Sequence, residues 1–324
     1  METGYAHEMS KVSICIPCHN AAPYVAAALE SVLAQTWTGI EVIVVNDGST
    51  DDSGAILEEF IPRGVHVIHE RLGSAAKARN RAAAEATGDY IKFFDADDLL
   101  SPRHIERQMQ RLAGRNDAIA ISEWGRFYRD DLSTFCEERQ GVCRDMEASD
   151  WLVEAFRDAH PMMQPGMFLI PRETLEAGGG WDESLSLIDD FEFFSRVLCR
   201  AEEVLFTAGA TLLYRSGISG SLSGRKDRKS VESAYHSLIR GTGHLLAKRS
   251  DPAARLSCAN ILQDFIYTYY PDYPDLRKQI TRRVAELGGS DLEPDGPPRF
   301  KQIRRIVGWR AARLAQNINS NLFR

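Results

Sequence analysis

The sequence predicts an α/β protein with a mostly parallel central sheet, followed by a helical C-terminal region. In the first hundred residues, short apolar runs alternate regularly with Ala- and Leu-rich segments of helical spacing. The run 41–46 (EVIVVN) is almost continuously apolar, which is typical of a strand buried on both faces of a parallel sheet. A polar break at 216–229 separates this part from the helical region. The alternation predicts right-handed βαβ crossovers with helices flanking the sheet.

The elements of the first half follow in a simple order. Ser49, Thr50 and Asp51 offer side-chain oxygens that would cap the second helix. Gly88 is expected to end the third helix. The pattern predicts strands over 12–17, 41–46, 65–68 and 90–94, and helices over 24–33, 49–60 and 75–86.

The second half is less regular. A Gly-rich turn is expected at 178–180, and the helix predicted over 189–200 carries Phe191 and Phe194 on one face. Further elements are predicted as a helix over 150–159 and strands over 118–122, 167–170, 204–206 and 211–214.

Composition limits the class of protein. The chain has 324 residues, 44% of them apolar and 26% charged, as in ordinary globular proteins. A net charge of −7 argues against a nucleic-acid partner. Six scattered cysteines predict a reducing compartment, and neither a signal peptide nor a membrane-spanning run is visible. We therefore expect a cytoplasmic protein, peripheral on the inner face of the membrane if it meets a membrane at all.

Polar residues follow three of the predicted strands. Asn20 comes after the first strand, Asp47 after the second and the cluster that begins at Asp95 after the fourth. Because ligands of parallel sheets bind at the carboxyl ends of the strands, these side chains predict a binding site at one rim.

Asp95-Ala96-Asp97-Asp98 places three carboxylates within four residues. Such carboxylates repel one another unless a cation or a proton intervenes. Their hard oxygen atoms suit Mg²⁺ or Mn²⁺, which keep open positions for substrate phosphates. The alternative is an ordinary turn in which Asp98 caps a helix beginning near Pro102.

Asp189 and Asp190 open the Phe-rich helix. Acidic residues stabilise the first turn of a helix, which gives the pair a structural interpretation. The functional alternative is a general base, because one carboxylate beside another has a raised proton affinity.

The end of the chain is basic. No acidic residue follows Asp295, and apolar residues recur at helical spacing through 299–324. This pattern predicts either an amphipathic helix on an anionic membrane surface or a helix docked on the protein's own core. The apolar residues are Ile303, Ile306, Val307, Leu314, Ile318 and Leu322.

The ordered motifs resemble glycosyltransferase family 2, the inverting enzymes of the GT-A fold. The motifs are KVSICIPCHNAAPYVAAALESVLAQTW, EVIVVNDGSTDDS, GSAAKARNRAAAEATGDYIKFFDADD, GGWDESL and DDFEFFSRV. The resemblance covers about 11–223 and implies a GT-A domain with a nucleotide-binding half (11–110) and an acceptor half (111–223). An N-terminal tail (1–10) and a helical region (224–324) would complete the chain.

The resemblance implies a role for each matching residue. On the donor side, Asp47 would contact the base, usually uracil, Asp95 the ribose and Asp97 the divalent metal (Mn²⁺ or Mg²⁺). On the other side, Asp190 would be the catalytic base. The remaining donor-binding residues would be Pro17, Asn20, Arg79, Asn80 and Ala96, and the acceptor side would include Trp181, Asp182 and Asp189.

Two positions depart from the family pattern. His19 stands where an aromatic residue is frequent, and Gly217 stands where a histidine often follows a Tyr-Arg pair such as Tyr214-Arg215. A cation from Arg215, or from Arg225 and Lys226, is the candidate to neutralise the diphosphate instead.

The resulting prediction is metal-dependent transfer of a sugar from a nucleotide diphosphate, most often UDP, to a hydroxyl with inversion. The acceptor would be a saccharide or a lipid- or protein-linked glycan. The alternatives are a sugar nucleotidyltransferase and a donor-binding membrane-surface scaffold without turnover. The first rival lacks its Gly-rich triphosphate loop after strand one, and Asp97 and Asp190 argue against the second.

Overall fold

A computed structural model of the chain describes residues 10–139, 141–218 and 226–322, with side chains described as far as residue 316. The chain divides into two compact units. The first runs to Leu152 and from Met162 to Leu245, and the second comprises Val153–Pro161 and the chain from Leu246. The domain boundary predicted at 223/224 falls in the undescribed segment 219–225 and stays a prediction.

The first unit is built on one sheet, whose strands run β3-β2-β1-β4-β9-β6-β10-β5 with β7 beside β6 and β8 beside β10. Strands β1 to β4 are mutually parallel, and β9 joins β4 and β6 in the antiparallel sense. The strands are β1 (Val12–Cys18), β2 (Ile40–Asp47), β3 (Val65–Glu70), β4 (Tyr90–Phe93), β5 (Leu99–Leu100), β6 (Ala118–Tyr128), β7 (Asp131–Glu138), β8 (Met146–Glu147), β9 (Phe168–Pro171) and β10 (Glu203–Ser216).

Helices flank this sheet and continue to the end of the described chain. They are α1 (Val25–Leu33), α2 (Ser53–Phe60), α3 (Ala75–Glu85), α4 (His104–Leu112), α5 (Ala148–Arg157), α6 (Arg172–Gly178), α7 (Asp189–Leu198), α8 (Arg228–Lys248), α9 (Pro252–Thr268), α10 (Pro274–Glu286) and α11 (Pro298–Leu322). The predicted parallel βαβ succession and the helical C-terminal region are thus confirmed.

The strands of the second half differ from the prediction. The two short strands predicted over 204–206 and 211–214 form one strand, β10, interrupted by a bulge between Thr207 and Thr211. Gly209, with φ +75°, permits the bulge. Strand β7 was not predicted, because its sequence DLSTFCEE is almost wholly exposed and lacks an apolar face.

The two predicted helix signals differ from the structure. Helix α2 begins at Ser53 after Asp52, whose side chain makes no cap. Of the predicted capping oxygens, Asp51 Oδ1 accepts from the Ser53 amide at 3.0 Å, whereas Ser49 Oγ and Asp51 Oδ2 accept from the loop after β1. Gly88 does not end α3. A Cβ atom there would lie 2.7 Å from the Lys11 carbonyl oxygen and 2.6 Å from Ser13 Oγ, so Gly88 lets this loop approach β1.

An aromatic cluster fixes α7 against the sheet. Trp181 stacks on Phe193 with ring centroids 4.0 Å apart, and both meet the edge of Phe93 from β4. Phe194 stacks on Phe168 of β9 at 3.9 Å. These rings are buried, so truncating one of the phenylalanines to alanine would lower the free energy of unfolding by about 3–5 kcal/mol.

The second unit is helical in its described part. Helix α9 is capped by Asp251, whose carboxylate accepts from the amides of Ala253 and Ala254. None of the helices among the described residues has the length and apolar character needed to cross a bilayer. All six cysteines are free, and the cytoplasmic location stays a prediction.

Candidate active site

The ends of β1 and β2 are joined by Asn20. Its backbone has φ +50°, a left-handed conformation that Asn tolerates. The Asn20 amide oxygen accepts from Thr50 N at 2.8 Å, and Asn20 N donates to Ser49 Oγ at 3.0 Å. Pro17, near the end of β1, is half-buried and lies opposite Val45 of β2. Asn20 therefore ties two strand-end loops into one rim.

Asp47 at the end of β2 organises the loop before α3. Its Oδ1 accepts from Leu72 N at 2.5 Å and Gly73 N at 2.8 Å, and its Oδ2 accepts from Ser74 N at 2.9 Å. The carboxylate is buried and held by three amides. The structure thus gives Asp47 a loop-holding contact that the sequence did not suggest, and its contact with a base stays a prediction.

Two of the three carboxylates after β4 already accept hydrogen bonds from other residues of the protein. Asp95 accepts from Arg79 Nη2 at 2.8 Å and from Gln164 Nε2 at 3.2 Å. Asp98 is fully buried, where Gln164 Nε2 lies 2.5 Å from its Oδ2 and Arg215 N lies 2.8 Å from its Oδ1. Burial raises the pKa of Asp98 well above its usual value, as do the neighbouring carboxylates.

Asp97 differs from both neighbours. Among the described residues, no hydrogen-bond donor from another residue reaches its half-buried carboxylate. Burial and the charge of Asp95 raise its pKa to about 6, although the charges of Arg215 and Arg79 act in the opposite direction. Ala96, between the two, is buried.

The described residues hold no group of three His, Cys, Asp or Glu side chains arranged around one metal position. Asp97 alone nevertheless suits Mg²⁺ or Mn²⁺, because these ions take one or two protein carboxylates and complete their shell with water and substrate phosphates. The donor set and the unbalanced charge both fit a divalent cation at this place.

The second acidic pair lies at the N-terminus of α7. Asp189 accepts from Arg79 Nη1 at 3.1 Å, whereas Asp190 accepts only from the amide of Phe191 at 2.9 Å within the described structure. Burial, followed by the charge of Asp189, raises the pKa of Asp190 to about 7. A carboxylate with that pKa can take a proton near neutral pH.

Arg79 connects the two acidic clusters. Its side chain is 8% exposed, donates to Asp95 and Asp189 at once, and lies 4.3 Å from the ring centroid of Trp181. The two carboxylates raise the pKa of the guanidinium against the opposing effect of burial. Arg79 therefore brings the end of β4 and the start of α7 to one centre.

Serines of α8 hold the loop that leads into α7, a contribution that sequence reasoning missed. Ser237 Oγ donates to the carbonyl of Ile188 at 2.5 Å, and Ser233 Oγ accepts from the amides of Ser186 at 2.7 Å and Leu187 at 3.0 Å. Ile188 has φ +51°, a left-handed conformation that costs a β-branched residue free energy. These bonds hold the backbone immediately before the acidic pair.

Asn80 binds the loop that carries two of the predicted acceptor-side residues, Trp181 and Asp182. Its amide accepts from Trp181 N at 2.7 Å and donates to Trp181 O at 2.9 Å and to Glu183 at 3.0 Å. Asp182 accepts from Ser184 N at 3.0 Å and pairs with Arg240. Asn80 is thus engaged by the acceptor-side loop, and its predicted donor contact stays untested.

Arg215 is buried beneath the first acidic cluster. Its Nε donates to the carbonyl of Asp97 at 2.7 Å, its guanidinium pairs with Asp130, and the rings of Tyr24 and Phe127 lie 4.9 and 4.6 Å away. Gly217 has φ +83°, where a histidine would be strained. Lys226 lies at the edge of the described chain, Arg225 lies outside it, and a diphosphate contact by these cations stays a prediction.

The structure therefore brings Asp95, Asp189 and Trp181 together around Arg79, with Asp97 and Asp190 beside them. Gln164, Ser233 and Ser237 support this centre. No local motif marks these three supporting residues in the sequence, because each acts across at least 45 positions of chain.

Residues 13–172 match the model of Glycosyl transferase family 2. Glycosyltransferase GlyG of Streptococcus pneumoniae is 33% identical over 156 residues, which are 43% of this chain and 51% of the relative. The uncharacterized glycosyltransferase EpsJ of Bacillus subtilis is 30% identical over 212 residues, 63% of this chain and 60% of the relative. The chain thus spans between half and two thirds of the length of these two relatives.

Solved structures share the fold. S. aureus TarS 1–349 in complex with UDP-GlcNAc superposes with a TM-score of 0.68 at 16% identity, covering 86% of this chain and 80% of that one. The mannosyltransferase PcManGT from Pyrobaculum calidifontis, in complex with GDP-Man and Mn²⁺, gives 0.55 at 16% identity, covering 95% and 87%. At these identities the likeness establishes the GT-A fold.

Proposed function

Because the chain belongs to glycosyltransferase family 2, we propose that it transfers a sugar from a nucleotide diphosphate to an acceptor hydroxyl with inversion. The observation that carries the proposal is the double contact of Arg79 with Asp95 and Asp189, which gives the strand-end carboxylates and the helix-start carboxylates a common centre. UDP is the favoured nucleotide. The structural neighbour TarS binds UDP-GlcNAc, and PcManGT, which binds GDP-Man, makes GDP the alternative.

The chemistry is a single displacement. The Asp190 carboxylate takes the proton of the acceptor hydroxyl, and the hydroxyl oxygen bonds to the anomeric carbon as the bond from that carbon to the diphosphate oxygen breaks. The nucleoside diphosphate leaves on the opposite face, so the sugar inverts once. Asp97 would hold Mn²⁺ or Mg²⁺, which supplies positive charge for the departing diphosphate.

The residues around this centre position the reactants. Arg79 holds Asp95 and Asp189 in place, and Trp181 covers one face of the guanidinium. Asn20 and Pro17 form the rim beside the nucleotide, and Asp182 and Asn80 shape the acceptor loop. The acceptor is a saccharide or a lipid- or protein-linked glycan, as in polysaccharide or glycoconjugate synthesis.

Donor binding is the first test. We expect UDP-GlcNAc or another UDP-sugar with Mn²⁺ to raise the melting temperature by about 5–10 °C at a hundred times its Kd. Asp97→Asn should lose the part of this shift that depends on Mn²⁺, and Asp52→Asn, at an exposed residue outside the centre, should keep it. A panel in which no nucleotide sugar shifts the melting temperature would refute the proposal, and a shift with GDP-mannose alone would refute UDP.

Turnover separates the rival functions. With water as acceptor, slow hydrolysis of an α-linked UDP-sugar should first release the β-anomer, which proton NMR distinguishes before mutarotation. Release of the α-anomer would contradict inversion. Formation of pyrophosphate from UTP and a sugar 1-phosphate would instead indicate a nucleotidyltransferase, and donor binding without any hydrolysis or transfer would indicate a scaffold.

A further inference from the structure

Helix α11 has an inner face that is already packed within the second unit. Gly308, with φ +79° and ψ 160°, breaks the helix after residue 307. Phe300 is 3% exposed, and the ring of Trp309 meets those of Tyr267 at 4.9 Å and Tyr270 at 5.1 Å. Aromatic side chains therefore anchor the helix both before and after the break.

A second set of apolar residues faces outward from the same helix. Ile303, Ile306 and Val307 are 38%, 85% and 55% exposed. With Arg299 they occupy positions i, i+4, i+7 and i+8, which fall within an arc of about 100° around the helix. Beyond the break, Leu314 is 40% exposed. Phe300 lies at the edge of this arc, about 20° from Val307 around the helix. Its burial leaves an outer face, Ile306 and Val307 above all, that docking on the protein's own core does not cover.

The charge around the outer face is positive. Lys301 pairs with Asp295 at 2.7 Å and Arg304 pairs with Glu293, so the acidic residues nearest in sequence are already neutralised. Within the described chain, three exposed cations of α11 have no acidic partner; they are Arg299, Arg305 and Arg310. No Asp or Glu follows Asp295 in the sequence.

We propose that this outer face of α11, formed by Arg299, Ile303, Ile306 and Val307, binds the surface of an anionic lipid bilayer, with Arg305 and Arg310 adding positive charge to the same helix. The helix lies in the interfacial plane, its isoleucines enter the acyl boundary and Arg299 meets the lipid phosphates. Negative lipid headgroups complement the unpaired cations directly.

A second copy of the chain fits this face less well. A stable protein interface buries about 800 Å² on each partner around an apolar centre. The outer face offers only three large apolar side chains on its first segment, and its exposed arginines would repel those of an identical partner. A bilayer needs no such area, because a few inserted side chains and several cations act together.

The test uses flotation of the whole protein with vesicles. We expect binding to vesicles that contain about 30% phosphatidylglycerol in phosphatidylcholine, little binding to phosphatidylcholine alone, and release of most of the protein at roughly 0.5 M NaCl. Absence of binding to the anionic vesicles at low salt would refute the proposal.

Variants assign the binding to this face. Arg299→Gln, Arg305→Gln and Arg310→Gln together should weaken partition about a hundred-fold, since each cation near the surface contributes about five-fold. Ile306→Asp alone should weaken it about ten-fold or more. The matched control removes the same charge from exposed residues of the same unit, namely Lys248→Gln, Lys278→Gln and Arg282→Gln, and should change partition at most a few-fold.

Equal losses in the control and the test variant would overturn the proposal, because net charge and not this face would then drive binding. Light scattering without lipid tests the alternative occupant, a second copy of the chain. A concentration-dependent dimer that Ile306→Asp abolishes would make the face an interface between copies and contradict membrane binding. All substituted side chains are exposed, so unchanged melting temperatures are expected, and they verify that each variant is folded.

Discussion

The two acidic clusters of the first unit are treated differently by the surrounding protein. After β4, Asp95 is bound by Arg79 and Gln164, and Asp98 is buried against Gln164 and the amide of Arg215. At the start of α7, Asp189 is bound by the same Arg79. One half-buried carboxylate in each cluster, Asp97 and Asp190, receives no donor from another side chain within the described structure.

This difference teaches which carboxylates serve the scaffold and which are available to a ligand. A raised pKa alone does not separate them, because Asp98 shares it with Asp97 and Asp190. Accessibility does, because Asp98 is fully buried and its oxygens are already engaged. The comparison predicts that the two available carboxylates act on different reactants, one on the donor phosphates and one on the acceptor proton.

The largest effect is expected from Asp190→Asn. The amide cannot take the acceptor proton, so the rate of transfer should fall about a thousand-fold or more, within the range for loss of a general base. Donor affinity should change little, because Asp97 and the nucleotide rim are untouched. Steady-state kinetics with an acceptor and calorimetric titration with the donor measure the two quantities.

Asp52→Asn is the control for this substitution, since Asp52 is an exposed carboxylate outside the centre. It should leave both the rate and the donor affinity unchanged. Near-wild-type turnover of Asp190→Asn would show that another group is the base and would remove the distinction drawn between the two clusters.

Arg79→Lys should lower turnover about a hundred-fold, because one ammonium cannot hold two carboxylates at separate positions and small displacements at a reacting centre are costly. Arg79→Met should also reduce the free energy of unfolding by about 3–5 kcal/mol, because it leaves buried carboxylates without their cation. Denaturant unfolding and kinetics measure these effects. If Arg79→Lys retains full activity, the shared contact has no positioning role.

The rate should depend on pH through Asp190. Its pKa is raised to about 7, and only the ionised form accepts a proton, so kcat/KM should fall about ten-fold per pH unit below that value. Because the Arg79 charge lowers this pKa, Arg79→Met should move the acid limb to higher pH. An acid limb that stays in place in this variant would show that Asp190 does not sense Arg79.

The same proton has a consequence for stability. The folded state binds it more tightly than the unfolded chain, whose carboxyl has a pKa near 3.8. The contribution of Asp190 to the free energy of unfolding is therefore present in full below that value and declines as the pH rises through about 7. Asp190→Asn should remove this part of the pH dependence in denaturant titrations.

The smallest effect is expected from Ser237→Ala. It removes the hydrogen bond to the carbonyl of Ile188, so about 1 kcal/mol of stability and a few-fold of turnover should be lost. Ser250→Ala, at an exposed serine outside the first unit, is the comparison and should leave turnover unchanged. Equal turnover in the two variants would show that Ser237 does not position the acidic pair.

Much of the fold could be predicted from the sequence for strands that are buried on both faces of the sheet. Strands β1, β2 and β4 are largely apolar runs, so their positions were predicted to within two residues. The exposed edge strand β7 carries no apolar alternation and was missed. The predicted cap at 49–51 is met only by Asp51, whose Oδ1 accepts from the Ser53 amide. Ser49 and Thr50 bond to Asn20 instead, about 30 residues away, a choice that local propensity does not contain.

The site was predictable only in its charged members. Asp95, Asp97, Asp189 and Asp190 stand in recognisable motifs, and the resemblance supplied their proposed roles. Gln164 has no motif, because its amide meets Asp95 and Asp98 from 66 or more positions away. Asn80 and Asp47 were assigned to the ligand, whereas the structure shows their polar atoms bonded to backbone groups of nearby loops. Such contacts depend on tertiary folding and leave no periodic signal.

A guanidinium shared between two carboxylates has a thermodynamic consequence. If an arriving donor changes how Arg79 divides itself between Asp95 and Asp189, the proton affinity of the adjoining Asp190 must change as well. Reciprocity then requires donor affinity to vary with pH by the same factor over the same interval. Donor and proton would be heterotropic ligands of one another, coupled through a single ion-paired side chain.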